Sequence, residues 1–261
     1  MNIRMNSNPT QPSKGFLAVA SRRKNFYYSA INLLEGIKDY YPEAQTCLVC
    51  DEWMHDREPD IDHIIFTEKQ DDYRAKMWGM WKSPFDITLY MDADMECVHE
   101  DISTVFDMMG DHDLMFQELT KERDPVFKNR HFPKGSFQYN GGVCMFNSGK
   151  PHVRDFMHRW WELFTEQYND RWWPAGPDGG WDDVGYGKRT EMKHWDQFTL
   201  WYLLNEESKW SDIDVGVFED DLRWNYFTHF KRFGLIPNKE PVILHYSGGF
   251  KKDQDVFAYG S

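Results

Sequence analysis

The chain reads as an α/β protein built on a mostly parallel central sheet, and three observations point there. Short apolar runs alternate with stretches at helical spacing through the first half, the pattern of strands joined by helices that cover both faces of a sheet. At 261 residues with 41% hydrophobic content, one large domain of this class has enough apolar material for a substantial core. Finally, the apolar run Ile87–Met91 passes directly into Asp92-Ala93-Asp94. That sequence delivers two carboxylates at a strand's carboxyl end, where ligands bind in open α/β sheets.

The elements follow in order. Phe16–Ala20 is the first strand. Phe26, Ala30, Leu33, Leu34 and Ile37 then recur at helical spacing until Pro42 stops the helix. Thr46–Cys50 and His63–Thr67 are further strands, and a helix over Arg74–Trp81 leads to Ile87–Met91. The second half is less regular. Asp113–Gln117 is a short strand, and Tyr139–Phe146 another that begins with an Asn-Gly-Gly turn. Lys150-Pro151 opens an amphipathic helix whose Val153, Phe156, Met157, Trp160, Leu163 and Phe164 form a core-packing face. Asp196–Leu204 is a helix and Val242–Tyr246 a last apolar strand. Between the two helices, Asn169–His194 is rich in Gly, Asp and Trp. A loop of that length in a compact domain is functional or disordered, and its Trp rings either stack on a sugar or base or tuck onto the domain. The expected organisation is an arm over 1–14, one domain over 15–252 and a tail over 253–261. The domain divides into a nucleotide-binding half (15–110) and an acceptor-binding half (111–252).

Composition narrows the chemistry. A formal charge of −13 argues against sequence-independent nucleic-acid binding, which needs cationic surface, and suits a protein that concentrates a divalent metal. Met1–Lys14 has no apolar h-region and no segment approaches the roughly 18 apolar residues of a membrane span; a cytoplasmic protein is expected. Cys47 and Cys50 lie within one apolar run with no second pair at zinc spacing, and Cys97 and Cys144 stand alone. All four read as buried reduced thiols.

Asp-x-Asp also occurs at Asp60–Asp62 and Asp212–Asp214. Those copies lead into apolar runs, whereas Asp92–Asp94 leaves one, so they read as solvated acidic turns. A hard cation held by one or two carboxylates takes its other ligands from water and a nucleotide's phosphates. The expectation is therefore a metal–diphosphate site at Asp92 and Asp94.

Four patterns in order, Leu89–Asp94, Tyr139–Phe146, Trp195-Asp196-Gln197 and Leu244–Lys251, resemble the family 8 retaining glycosyltransferases, the group of glycogenin and the bacterial lipopolysaccharide galactosyltransferases. The resemblance spans Gly15 to Lys252 and implies a GT-A type, Rossmann-like nucleotide-sugar-binding domain. It implies a metal held by Asp92, Asp94 and His245; two carboxylates and an imidazole favour manganese, with magnesium as the alternative. By the same resemblance, Lys251 reaches the donor diphosphate, and Gly248 admits backbone close to the phosphates. Lys76, with Arg74 nearby, faces the donor sugar or else lies on a solvated helix face. Asn140 contacts sugar hydroxyls, with Gly141 and Ala93 also lining the substrate. Asp196 and Gln197 sit beside the anomeric carbon; the alternative for Asp196, at a helix start, is a cap or a favourable first-turn charge. Val19, Ala20, Ser21 and Arg22, with Phe26 or Tyr27, contact base and ribose. The run Arg22-Arg23-Lys24 approaches the diphosphate or caps a solvated helix. Two departures stand out: Lys252-Asp253 replaces the family's usual Pro-Trp, and Lys193 occupies the position of a further acid in glycogenin.

The implied activity is transfer of a hexose, with retention, from a nucleotide-diphosphate sugar, expected to be a uridine-diphosphate hexose. A glycan is the family's default acceptor; a protein tyrosine, a small metabolite and a hydroxymethylated DNA base are the alternatives. Two rival classes remain in view. A nucleotidyltransferase needs a Gly-rich basic loop after the first strand, and Ala20–Lys24 lacks the glycines. A non-catalytic carbohydrate-binding protein has no use for the metal-and-lysine set.

Overall fold

The computed structural model describes residues 12–67, 74–118, 138–170, 196–230 and 234–246. Among these, strands β1 (Lys14–Ala20), β2 (Thr46–Cys50), β3 (His63–Phe66), β4 (Ile87–Met91), β6 (Leu114–Glu118), β7 (Tyr139–Asn147) and β8 (Val215–Val217) form one sheet in the order β3-β2-β1-β4-β7-β6-β8. β1 to β4 pair in parallel, as do β6 and β8, while β7 runs antiparallel to both neighbours. The sheet is mostly parallel, as the alternation predicts.

Side chains of successive strand residues point to opposite faces, and the core divides accordingly. Phe16, Ala18 and Ala20 pack with Tyr27, Ile31 and Leu34 of α1 (Lys24–Tyr40). Leu17, Val49 and Tyr90 pack with Met77 of α2 (Arg74–Trp81) and with Phe156 and Trp160 of α3 (Pro151–Asp170). Every apolar residue predicted for the inner face of α3 is buried. Cys47 and Cys50 fall in these two different cores. Three residues apart on a strand, their thiols face opposite sides of the sheet and cannot share a metal, and burial pushes both up to about 12.

The other acidic pairs are turns, as expected. Asp62 Oδ2 accepts from the Thr46 amide and hydroxyl, both at 2.9 Å, and Asp214 Oδ2 lies 2.8 Å from His112 Nδ1. No helix among the described residues is long and apolar enough to cross a membrane.

A second, three-stranded sheet lies beyond the exit of β4, and only its last strand was readable from an apolar run. β5 (Met95–Cys97) directly follows the acid pair. It pairs antiparallel with β10 (Ile243–His245), which pairs in parallel with β9 (Tyr226–Phe227). This small sheet brings the C-terminal histidine back to the acid pair.

Trp160 links core to site. Its ring is buried, and its indole N–H donates to Asp196 O at 3.1 Å and Thr199 Oγ1 at 3.0 Å, both in the first turn of α4 (Asp196–Glu206). Trp160→Phe removes that donor along with part of the ring, and should lower unfolding stability by about 2 kcal/mol. Trp160→Ala should cost about 3–5 kcal/mol. Urea titration followed by far-UV circular dichroism checks both, and a Phe variant as stable as the parent would show that the indole N–H does not anchor α4.

Candidate active site

The site is built on a break in the sheet. β6 and β7 pair regularly up to Phe116 opposite Cys144, then resume at Gln117 opposite Asn140, so Gly141, Gly142 and Val143 bulge from β7. Bulges re-aim side chains and occur next to active sites. Here the bulge lies beside the exit of β4, where the Asp92 amide donates to Gly142 O at 2.8 Å.

Both bulge glycines are required by what surrounds them. A Cβ at Gly141 would lie 2.6 Å from Asp196 Oδ2, and one at Gly142 would lie 2.9 Å from both His245 Cε1 and Asn140 Oδ1. Asn140 Oδ1 itself accepts from the Gly142 amide at 2.6 Å. That oxygen holds the bulge, a role the sequence did not suggest for Asn140.

Asp92, Asp94 and His245 converge. One ligand atom from each lies within 4.8 Å of the other two, and His245 Nε2 is 3.3 Å from Asp94 Oδ1. The β5–β10 ladder, which sets His245 opposite Met95, is what places the imidazole here. The ring is stacked on Phe227 with centroids 4.1 Å apart, and its Nδ1 meets Asn225 Oδ1 at 2.8 Å. Burial pushes the Asp94 carboxyl up, but a hydrogen bond and charge from His245 in its protonated form outweigh it, leaving Asp94 below the usual range. Asp92 is raised by burial, with the charges of Asp94 and Asp196 adding to it and those of Lys76 and His245 opposing.

Lys76 stands at the centre. Its Nζ is 2.6 Å from Asp196 Oδ2, 3.0 Å from Asp92 Oδ1 and 5.0 Å from the Tyr90 ring centroid. Desolvation alone would favour the neutral amine, but the two carboxylates reverse that and hold the ammonium's pKa above its usual value. Lys76 is no solvated helix-face residue. Tyr90 donates from its hydroxyl to the same Asp92 oxygen at 2.6 Å, so Oδ1 takes two donors and Oδ2 is left to face a cation. With the acids ionised and His245 neutral, the form in which an imidazole ligates a metal, three carboxylates meet one ammonium, a deficit of two positive charges that a divalent ion would fill. The donor set and the charge therefore both fit a metal.

Asp196 is held at both carboxylate oxygens. Oδ1 accepts from the Gln197 amide at 2.9 Å at the start of α4, and Oδ2 holds Lys76. The β1 exit is placed differently from the clustered residues. Val19 packs against Gly79 of α2, and Ala20, Tyr27 and Ala93 are buried. The Tyr27 hydroxyl meets His55 Nδ1 at 3.2 Å and donates to Arg57 O at 3.3 Å, engaged by neither the metal triad nor Lys76. After Ser21, Arg22 adopts a left-handed backbone with φ 70°, its amide donating to Asp51 Oδ2 at 2.9 Å. Lys24 pairs with Asp56 at 2.5 Å, both partly exposed, so that member of the basic run belongs to a solvated helix start. Gly248, Lys251 and the Trp-rich loop lie outside the described residues.

Tyr90, Asn225 and Phe227 escaped the sequence reading. Tyr90 had a signal, since residues i and i+2 on a strand share a face and it lies two before Asp92. Asn225 and Phe227 had none, because only the small sheet brings them to His245.

No protein-family model matches the chain, and no curated protein matches it either. Solved structures do. A galactosyltransferase, LgtC, in complex with donor and acceptor sugar analogs, aligns with a TM-score of 0.59 at 14% identity, over 94% of this chain and 92% of that one. The glycosyltransferase GlyE of Streptococcus pneumoniae TIGR4 aligns at 0.57 and 14%, over 89% and 55%. Mouse xyloside xylosyltransferase 1, in its apo form, aligns at 0.51 and 12%, over 91% and 99%. The chain has the fold of these glycosyltransferases, the GT-A architecture that the motif series implied.

The bulge gives a direct test. Gly141→Ala pushes a methyl into the Lys76–Asp196 pair and should destabilise by about 1–3 kcal/mol. Gly36→Ala, on α1 with nothing within 4 Å of its would-be Cβ, should stabilise by about 0.5–1 kcal/mol. Paired urea titrations measure both; equal effects would show that the bulge is not tight.

Proposed function

We propose that this chain is a metal-dependent, retaining glycosyltransferase of the family 8 type. It moves a hexose from a nucleotide-diphosphate sugar, a uridine-diphosphate hexose as first expectation, to a hydroxyl of a glycan. The observation that carries this reading is Lys76 Nζ bridging Asp92 Oδ1 and Asp196 Oδ2 beside the Asp94–His245 pair. One ammonium thus ties the carboxylate assigned to the metal to the one assigned to the sugar's anomeric carbon. A protein that only binds carbohydrate needs no such coupling.

Asp92, Asp94 and His245 would hold the cation, manganese ahead of magnesium because of the imidazole. When bound, the ion supplies positive charge to the diphosphate as it becomes a leaving group. The chain's own residues do the rest. The bond from the anomeric carbon to phosphate oxygen breaks as the bond to the acceptor oxygen forms on the same face, and the acceptor's proton passes to the departing phosphate. Asp196, fixed by Lys76 and by the Gln197 amide, stabilises positive charge building on the sugar ring. Lys251 offsets negative charge on the leaving diphosphate. Positioning and preorganised charge then account for most of the rate.

The acceptor side has its own support. A cavity of about 250 Å³ runs along α4, with Tyr139, Gln197, Trp201, Asn205 and Trp210 among its walls. Two of its lining residues neighbour site residues in the sequence, Tyr139 before Asn140 and Gln197 after Asp196. Aromatic rings and carboxamides, with no charged side chain among the described lining residues, suit a neutral saccharide rather than a phosphate.

Donor binding should depend on metal. Calorimetry with uridine diphosphate should give at least tenfold weaker binding without manganese, and a similar loss for Asp94→Ala; equal affinity in the presence of chelator would contradict a bridging ion. Asp196→Asn should lower turnover at least a hundredfold while donor and metal affinity stay within a few-fold. Proton NMR of the product's anomeric centre should report retention, and inversion would overturn both the mechanism and the family reading.

A further inference from the structure

Asn225 takes no part in the chemistry described so far, yet it is wholly buried and its side chain ends on a proposed metal ligand. We infer that Asn225 is the positioning residue of the metal centre: it fixes the His245 imidazole with its proton on Nδ1, so that Nε2 presents a lone pair toward Asp94. This rests on reading Asp92, Asp94 and His245 as metal ligands.

The geometry carries the argument. Asn225 Oδ1 lies 2.8 Å from His245 Nδ1. A carboxamide oxygen can only accept, so a hydrogen bond there requires Nδ1–H. The lone pair of the neutral ring then belongs to Nε2, the nitrogen 3.3 Å from Asp94 Oδ1. The opposite arrangement, with the amide nitrogen donating to Nδ1, would put the proton on Nε2, where it would occupy the cation's place. Metal-bound histidines generally have their second nitrogen fixed in the first way, and loss of the fixing group weakens metal affinity 10–100-fold.

Asn225 is itself held. Gln117 Nε2 donates to Asn225 O at 3.1 Å and to Asp221 O at 3.4 Å, and Gln117 is the residue at which the β6–β7 register shifts. Phe227, two residues along and opposite His245 in the β9–β10 ladder, stacks on the ring at an interplanar angle of 24°. The ring plane is set by Phe227 and the proton's position by Asn225. Contacts therefore run from the bulge through Gln117 and Asn225 to His245, joining both sheets at the site.

The test needs no knowledge of the acceptor. In metal-free protein with the ring neutral, long-range proton–nitrogen NMR of the histidine rings should show His245 protonated on Nδ1, assigned by its loss in His245→Gln. Calorimetric titration with manganese chloride alone should give 10–100-fold weaker binding for Asn225→Ala. Asn225→Asp, which keeps an acceptor oxygen at that position, should stay within a few-fold of the parent. Unfolding midpoints report whether the variants are folded. An Nε2–H tautomer in the parent, or a folded Asn225→Ala that binds manganese as tightly as the parent, overturns the inference. If the parent binds no manganese, the metal reading fails, while the tautomer still decides whether Asn225 sets the ring.

Discussion

The ammonium of Lys76 sits where three elements meet, and the rest of the site is arranged around it. A buried lysine is expensive unless its charge is matched. Here the match comes from Asp92 after β4 and Asp196 at the head of α4, at 3.0 and 2.6 Å. Removing either partner would strand charge in a poorly solvated place, so α2, β4 and α4 are constrained together. The Gly141–Gly142 bulge follows from the same requirement, because a side chain at Gly141 would meet Asp196 Oδ2. The Trp160 indole bonds hold the first turn of α4 in register with this arrangement.

The small sheet answers a different constraint. Asp94 and His245 are 151 residues apart in the sequence and must approach to 3.3 Å. A loop alone would do this with wide positional scatter. Pairing β5, which begins one residue after Asp94, against β10, which ends at His245, fixes the distance by strand register instead. A one-residue slip would turn the imidazole to the other face of the ladder. The Tyr246 amide donating to Asp94 O at 3.0 Å closes the ladder on the side of the acid.

Much of this was legible in the residues, for identifiable reasons. The parallel strands announced themselves because a strand covered on both faces is a continuous apolar run, as at Thr46–Cys50 and Ile87–Met91. The buried face of α3 was readable from its 3.6-residue period. Asp92 and Asp94 were distinguished from two similar pairs by the strand that precedes them. What stayed hidden depended on long-range pairing without a local signature. β5 and β9 are three and two residues long, too short for any period to show. The bulge in β7 was visible only as an Asn-Gly-Gly turn, so the bond from the Gly142 amide to the Asn140 carboxamide oxygen that holds it could not be foreseen. The family resemblance put Phe26 or Tyr27 near the base, and helical geometry turns the Tyr27 ring into the α1-side core.

The charge distribution bears on how donor and metal must cooperate under the proposed reading. Lys76 is already committed to two carboxylates and has little positive field to spare for a phosphate. The described cluster, with its acids ionised, is net negative and would repel a diphosphate. Lys24, one member of the basic run read as approaching the diphosphate, is tied to Asp56 at a partly exposed position. The cation at Asp92, Asp94 and His245 would therefore turn a repulsive surface into an attractive one, so that metal and donor bind with strong mutual dependence. On the same reading, a lysine braces Asp196 while a metal would serve the phosphates. A single cation shared between the two tasks would relax its hold on that carboxylate as the leaving group's charge grew. Keeping them separate would let Asp196 remain fixed while the diphosphate departs.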